Sequence, residues 1–228
     1  MSHYRIPLAG VIGSPVSHSK SPRLHRHWLK RYGIPGYYIP MDIASDDLEM
    51  AVEALPKLGF VGFNVTIPHK EHIIRLADVV SDRAALMGAA NTIVYRNDGK
   101  IHADNTDGYG FLESLKQGAT DWDPKAGPAA VIGAGGAARA VITALLDAGV
   151  EEIRLANRTK TRAESLRHEF GTRIAVYDWV QAGNMLEGAA TVVNTSSLGM
   201  DTKPELRVPL DGIGKDAVVT DLVYTPIE

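Results

Sequence analysis

Residues 129–146 read AAVIGAGGAARAVITALL, and no other stretch restricts the fold as tightly. The run begins with small and apolar residues over the length of a strand. A strand without polar alternation is one covered on both faces. Gly133, Gly135 and Gly136 then gather where such a strand must turn, and a helix is expected over 136–148. Arg139 interrupts the segment, so it reads as buried strand, glycine turn and helix, not as a membrane span.

The rest of the chain repeats the alternation. Strands are expected at 8–13, 37–43 and 60–67, with a helix from Ser21-Pro22 to Gly33 and another capped by Ser45 or Asp46. Two helical stretches, 69–77 and 81–87, precede a hairpin in which 91–96 and 100–102 flank Asn97-Asp98-Gly99. Asp107-Gly108 opens a helix to about Lys116. The segment 117–128 is dense in Gly, Asp and Pro and reads as a linker or boundary. Beyond it, strands are expected at 129–133, 152–156, 174–177, 191–194 and 218–222, with helices at 136–148, 159–170 and 178–186. Repeated strand–helix alternation argues for parallel sheets with helices on both faces, an α/β class.

With 228 residues the chain has length for two domains, each with its own core. The net charge is −3 and no Lys/Arg run stands out, so neither nucleic acid nor an anionic membrane is the expected partner. No cysteine is present, which excludes disulfides and thiolate metal sites and fits a reducing, cytoplasmic compartment. No basic region followed by a long apolar core suggests a signal peptide. His25/His27 and His69/His72 make no metal-ligand pattern, and no metal is expected.

The glycine turn points to a nucleotide. Gly133, Gly135 and Ala138 fit G-x-G-x-x-G/A between a strand and a helix. Gly133 permits the tight turn, Gly135 lets backbone approach a pyrophosphate, and Ala138 lets helix and strand pack closely. The turn Gly133, Ala134, Gly135, Gly136 and Ala137 would offer helix N-terminal N–H groups to phosphate. About 20 residues on, an NAD site places an acid for the ribose 2′-hydroxyl. This chain has Asn157, Arg158 and Thr159 there, with Arg162 one turn later. Two guanidinium groups suit a 2′-phosphate, so NADP is expected over NAD.

In the first half, polar residues gather at strand ends: SHSKSP (17–22), Asn64 and Thr66, Lys70, AANT (89–92) and DNTDG (104–108). Ligands of open α/β sheets bind beyond the carboxyl ends of strands. Hydroxyls, amides, one ammonium and carboxylates suit a small polyhydroxylated acid. Taken singly, each residue has an ordinary reading: Ser21 as a helix cap, Asn91 as a turn residue, Asp107 as a cap, Lys70 as a solvated charge.

These motifs, with GAGGAAR, NRT..R and NTSSLGM, occur in this order in the shikimate dehydrogenases, and the chain resembles that family over residues 10–224. The resemblance implies two open α/β domains: a substrate-binding and catalytic domain at 1–107 and a Rossmann-type NADP domain at 108–228. It implies reduction of the C3 ketone of 3-dehydroshikimate to shikimate with NADPH, by a monomer or homodimer. Ser19 and Ser21 resemble the hydroxyls that hold the substrate carboxylate. Asn64, Thr66, Asn91 and Asp107 resemble the groups that bind ring hydroxyls, and Tyr224 resembles a tyrosine near substrate and nicotinamide. Lys70 and Asp107 look like the catalytic pair. Asn194, Thr195 and Ser196 look like the loop beside the cofactor. The family also carries a GxxMLxxQ stretch and returning helices after the segment DLVYTPIE, which the sequence up to Glu228 lacks. A polypeptide ending there is expected to expose apolar surface, to be poorly soluble or paired, and to bind shikimate weakly. Two rival readings stand beside this one. A quinate/shikimate dehydrogenase using NAD shares the scaffold, though Lys20 and Asn157-Arg158-Thr159 look like the NADP type. A nucleotide-binding protein without turnover could lose Lys70 or Asp107 freely, and both are present.

Overall fold

The computed structural model describes residues 6–201 and 203–226, so Glu228, where the sequence ends, lies outside the described residues. The chain divides into two units, Met1–Thr106 and Asp107–Glu228.

The first unit contains β1 (Leu8–Gly13), α1 (Ser21–Arg31), β2 (Tyr37–Asp42), α2 (Leu48–Ala54), β3 (Gly62–Val65), β4 (Val79–Val80), α3 (Asp82–Met87), β5 (Thr92–Tyr95) and β6 (Ile101–Asp104). Its six strands lie in the order β2-β1-β3-β5-β6-β4. β1 runs parallel to β2 and β3, while β5 is antiparallel to both β3 and β6. The sheet is therefore mixed, not wholly parallel as the alternation suggested. The hairpin supplies the reason. Gly99 takes φ +84°, the left-handed region, and Arg96 N–H donates to Lys100 O at 2.9 Å, which reverses the chain. Ile12, Phe63, Val65, Ile73 and Ile93 pack with Leu48 and Val52 of α2 to form the core.

Three local expectations change here. Residues 69–77 make turns and a short 3₁₀ segment, Ile73–Leu76, instead of an α-helix, and the chain then enters β4. Neither Ser45 nor Asp46 caps α2, which grows out of a 3₁₀ turn at Ser45–Asp47. Ser21 is the first residue of α1 and not its cap, a position taken by Lys20. A real cap stands at α3, where Ala84 N–H donates to Ser81 Oγ at 3.3 Å.

Asp104 ties this region together. Its Oδ1 accepts from Ser81 Oγ at 2.6 Å, Arg83 Nε at 2.6 Å and Asn105 N–H at 2.8 Å, and Oδ2 pairs with Arg83 Nη2. The Arg83 guanidinium, helped by Ser81 and Asn105, holds the Asp104 carboxyl down at about 2, against the pull of burial.

The second unit contains α4 (Asp107–Gly118), β7 (Ala129–Ile132), α5 (Gly136–Ala148), β8 (Ile153–Ala156), α6 (Lys160–Phe170), β9 (Ile174–Tyr177), β10 (Thr191–Asn194) and β11 (Val218–Asp221). Its five strands are all parallel, in the order β11-β10-β7-β8-β9. All four residues of β7 are buried. Val131 packs with Val141, Leu145, Leu155 and Leu166 on one face, and Ala130 and Ile132 pack with Met185, Leu186 and Val192 on the other. A strand covered on both faces has no use for polar alternation, which explains the unbroken apolar run. Residues 119–128 connect α4 to β7 inside this unit and are pinned by Trp122 Nε1, which donates to Thr191 Oγ1 at 2.9 Å. The helix expected at 178–186 is two 3₁₀ turns, Trp179–Gln181 and Asn184–Leu186, with Gly183 between them.

Two outcomes follow from this packing. Leu145 is fully buried, and Leu145→Ala should destabilise the protein by about 2–5 kcal/mol in urea unfolding. Asp104→Asn should lower the urea midpoint at pH 7. Because the folded carboxyl titrates below its ordinary value, its stabilisation is present in full above about pH 4 and is lost as pH falls toward 2. The gap between wild type and variant should therefore narrow over that window, and a constant gap would refute the assignment.

Candidate active site

In the first unit the strand β3 ends in the turn that carries Lys70. Phe63 and Val65 point into the core, while Asn64 and Thr66 are half-buried on the opposite face. Space for Thr66 comes from Gly13: a Cβ there would lie 2.4 Å from Thr66 Cγ2. The turn is pinned on several sides. Ser14 N–H donates to Ile67 O at 3.0 Å, His69 N–H to Thr66 O at 3.0 Å, and Ala90 N–H to Lys70 O at 2.8 Å. His69 is 1% exposed, and its Nε2 lies 2.8 Å from Ile43 O, which can only accept, so Nε2 carries the proton. That histidine anchors the turn beside Lys70.

Asn64 and Asn91 are joined. Asn64 Nδ2 donates to Asn91 O at 3.1 Å and to Thr92 Oγ1 at 3.2 Å. Thr92 Oγ1 donates to Asn91 Oδ1 at 2.8 Å, and Thr106 N–H reaches the same oxygen at 3.1 Å. Asn105, 1% exposed, donates from Nδ2 to Ala89 O at 2.8 Å, which fixes the loop after β6. Ser19 and Ser21 stand together at the start of α1, where Ser21 N–H donates to Ser19 Oγ at 3.3 Å.

Sequence reasoning missed Tyr38. It is 7% exposed, its hydroxyl donates to Asn64 Oδ1 at 2.7 Å, and its ring stacks on His25 with centroids 4.0 Å apart. Burial pushes the Tyr38 hydroxyl above the ordinary tyrosine value, partly offset by the Ser21 hydroxyl beside it, so it stays protonated. Burial also lowers His25, leaving a neutral imidazole on the ring. Nothing in the local pattern YYIPM signals this role.

In the second unit the strand order reverses between β7 and β10, and the loops that leave these two strands lie side by side. Ligands of such sheets bind at that point. Gly133 takes φ +109°, and a Cβ there would lie 2.8 Å from Thr195 Oγ1 and 2.9 Å from Ser196 N. Gly133 thus brings the glycine turn against the loop after β10. At Gly135 a Cβ would meet nothing within 4 Å, which leaves space over the N-terminus of α5. Ala134 and Ala138 are buried, and Gly136 and Ala137 are half-buried in the turn. Asn157 donates from Nδ2 to Thr159 O at 2.8 Å, while Arg158, Thr159 and Arg162 are exposed. Thr159 occupies the cap position of α6 without a side-chain cap bond. The donor set fits a phosphorylated dinucleotide: open backbone at Gly135, two guanidinium groups, and no carboxylate at the end of β8.

Asn194 is largely internal. It is 4% exposed, donates to both oxygens of Asp221 at 3.0 Å, and accepts from Ser196 N–H at 3.0 Å and Ser196 Oγ at 2.7 Å. Thr195 Oγ1 donates to Ile132 O at 2.8 Å. Asp221 also accepts from Val223 N–H at 2.7 Å and so tethers the segment that carries the half-exposed Tyr224. Asp221 is a second residue that the sequence did not reveal. Asp107 opens α4 and is half-buried. Among the described residues, no group of three His, Asp or Glu side chains could hold a metal, and no helix is long and apolar enough to cross a membrane.

Comparison with known proteins finds relatives for both units. Residues 11–93 match the shikimate dehydrogenase substrate binding domain, and residues 118–200 match shikimate / quinate 5-dehydrogenase. The NADP(+) shikimate dehydrogenase of Cereibacter sphaeroides (strain ATCC 17025) is 66% identical over 99% of this chain and 81% of that protein. Shikimate dehydrogenase from Aquifex aeolicus superposes with a TM-score of 0.87 at 39% identity, over 98% of this chain and 81% of its own. The Thermus thermophilus enzyme in complex with NADP(H) and shikimate gives 0.84 at 36% identity, over 97% of this chain and 80% of that one. With the sequence, both units and the nucleotide turn in agreement, the chain belongs to the shikimate dehydrogenase family.

Proposed function

We propose that this chain is an NADP-dependent shikimate dehydrogenase, an oxidoreductase that reduces the C3 ketone of 3-dehydroshikimate to shikimate in aromatic amino acid biosynthesis. The observation that carries the reading is the 66% identity, over 99% of the chain, to a protein named for that reaction and cofactor. The end of β8 supports the cofactor: Asn157 and Arg158 stand where NAD sites place an acid. That same feature weighs against the quinate and NAD alternative. Cytoplasmic residence accords with the absence of cysteine, and a monomer or homodimer is the proposed state.

The division of labour proposed here gives the first unit, together with Asp107 at the start of the second, to the substrate, and the rest of the second to the nucleotide. Ser19 and Ser21 would hold the substrate carboxylate, and Asn64, Thr66, Asn91 and Asp107 its ring hydroxyls. Gly133, Ala134, Gly135, Gly136 and Ala137 would cradle the pyrophosphate. Asn157, Arg158, Thr159 and Arg162 would bind the 2′-phosphate, and Asn194, Thr195, Ser196 and Tyr224 would border the nicotinamide. NADPH, when bound, supplies the hydride. As the ketone carbon is reduced, negative charge grows on its oxygen, and a donor must stabilise or protonate it. Lys70 is the proposed donor, on a turn that its backbone bonds hold fixed, and Asp107 is its proposed carboxylate partner in catalysis.

Two substitutions test these roles. Arg158→Ala should weaken NADP about tenfold to a hundredfold in KM and leave NAD nearly unchanged, since one charge-assisted contact is worth about 1.5–3 kcal/mol. An equal loss with both cofactors would remove Arg158 from the 2′-phosphate. Lys70→Ala should lower kcat, followed by NADPH absorbance with shikimate as substrate, by about a hundredfold or more with a smaller change in KM. A variant that kept its rate and lost only affinity would make Lys70 a binding residue.

A further inference from the structure

One continuous line of hydrogen bonds crosses the first unit, and backbone groups at two places fix its direction. The carbonyl oxygen of Asn91 can only accept, and Asn64 Nδ2 stands 3.1 Å from it. That sets the Asn64 amide, nitrogen toward Asn91 and Thr92, oxygen toward Tyr38. The Tyr38 hydroxyl must then be the donor across its 2.7 Å bond. Further along, the N–H of Thr106 can only donate, and it meets Asn91 Oδ1 at 3.1 Å, which sets the second amide. Thr92 Oγ1 therefore donates to Asn91 Oδ1 at 2.8 Å, and Asn91 Nδ2 faces Thr106 Oγ1 at 3.1 Å. The side-chain links run from Tyr38 through Asn64, Thr92 and Asn91 to Thr106 Oγ1, while the Thr106 N–H donates back to Asn91 Oδ1. Bonds aligned head to tail polarise one another in a partly buried setting.

The direction has a consequence for recognition. Both hydrogens of the Asn64 amide are engaged by Asn91 O and Thr92 Oγ1, so Asn64 meets a ligand through Oδ1 alone. An amide is ordinarily ambiguous, able to present either end. We propose that Tyr38 is a positioning residue that holds Asn64 Oδ1, the end that Asn91 O leaves outward, in place to accept from a substrate hydroxyl. This rests on the reading above that Asn64 binds the substrate's ring hydroxyls. The Tyr38 ring is itself held, stacked on His25 with an interplanar angle of 1°. Removing only the phenolic hydroxyl keeps that stack and the bonds of Asn64 Nδ2, and takes away the one bond that holds Oδ1 in place.

The test is a double-mutant cycle on Tyr38→Phe and Asn64→Ala, read by shikimate calorimetry and by steady-state kinetics with NADP. Tyr38→Phe should raise Kd and KM for shikimate about three- to tenfold, the loss of one neutral hydrogen bond, with kcat and the KM for NADP within about twofold of wild type. In the Asn64→Ala background the same change should add less than about twofold. An unchanged shikimate Kd overturns the proposal. So does an equal factor in both backgrounds, or a parallel rise in the KM for NADP, either of which marks a general structural role. Calorimetry keeps the two readings apart: a wild-type chain that binds shikimate without oxidising it defeats the activity and still measures Tyr38. One that binds no shikimate defeats both.

Discussion

The nucleotide half of this molecule depends on a close backbone approach at the end of β7. Burial on both faces holds that strand at the middle of a parallel sheet, so its exit lies at the point where strand order reverses. There the chain must turn within one residue, and Gly133 does so at φ +109° with Thr195 against it. The same contact docks the loop after β10 onto the glycine turn. Asn194 and Asp221 brace that loop from behind, so its geometry is set before any ligand arrives. A helix N-terminus and open space over Gly135 complete the cradle.

The first unit solves a different problem. It holds several amides and hydroxyls in fixed orientations, and an amide side chain has no intrinsic preference for which end faces outward. Here main-chain groups decide. Asn91 O and Thr106 N–H each accept only one partner type, and they orient two asparagines. The antiparallel pair β3–β5 brings Asn64 beside Thr92, in register. A parallel pairing of these strands would set a different register of side chains, so the antiparallel placement of β5 against β3 is what brings Asn64 to Thr92.

Legibility followed the range of the interactions. Apart from 178–186, the elements of the second unit were read nearly to the residue, because a buried parallel strand and the helix after it carry their period locally. The stretch 69–77 and the stretch 178–186 were misread. Both contain apolar residues at helical spacing, and in both the backbone prefers tight turns that link elements placed by other parts of the chain. The Asp104–Arg83–Ser81 cluster was invisible for a related reason: its members are 21 and 23 positions apart and meet only when β6 lies beside α3.

The sequence by itself determined the α/β class, the glycine turn with its missing acid at Asn157, and the order of motifs that marks the family. The first two are properties of composition and spacing, which short-range physics reads directly, and the family was read by resemblance. Only the tertiary structure decided that β5 lies antiparallel to β3, that Asp221 stands behind Asn194, and that the Tyr38 hydroxyl meets Asn64 Oδ1. Each of those facts is a hydrogen bond or strand pairing between residues distant along the chain. Spacing within a segment carries no information about which distant carbonyl or hydroxyl will come within hydrogen-bond reach, and that approach is what gives a polar side chain its direction.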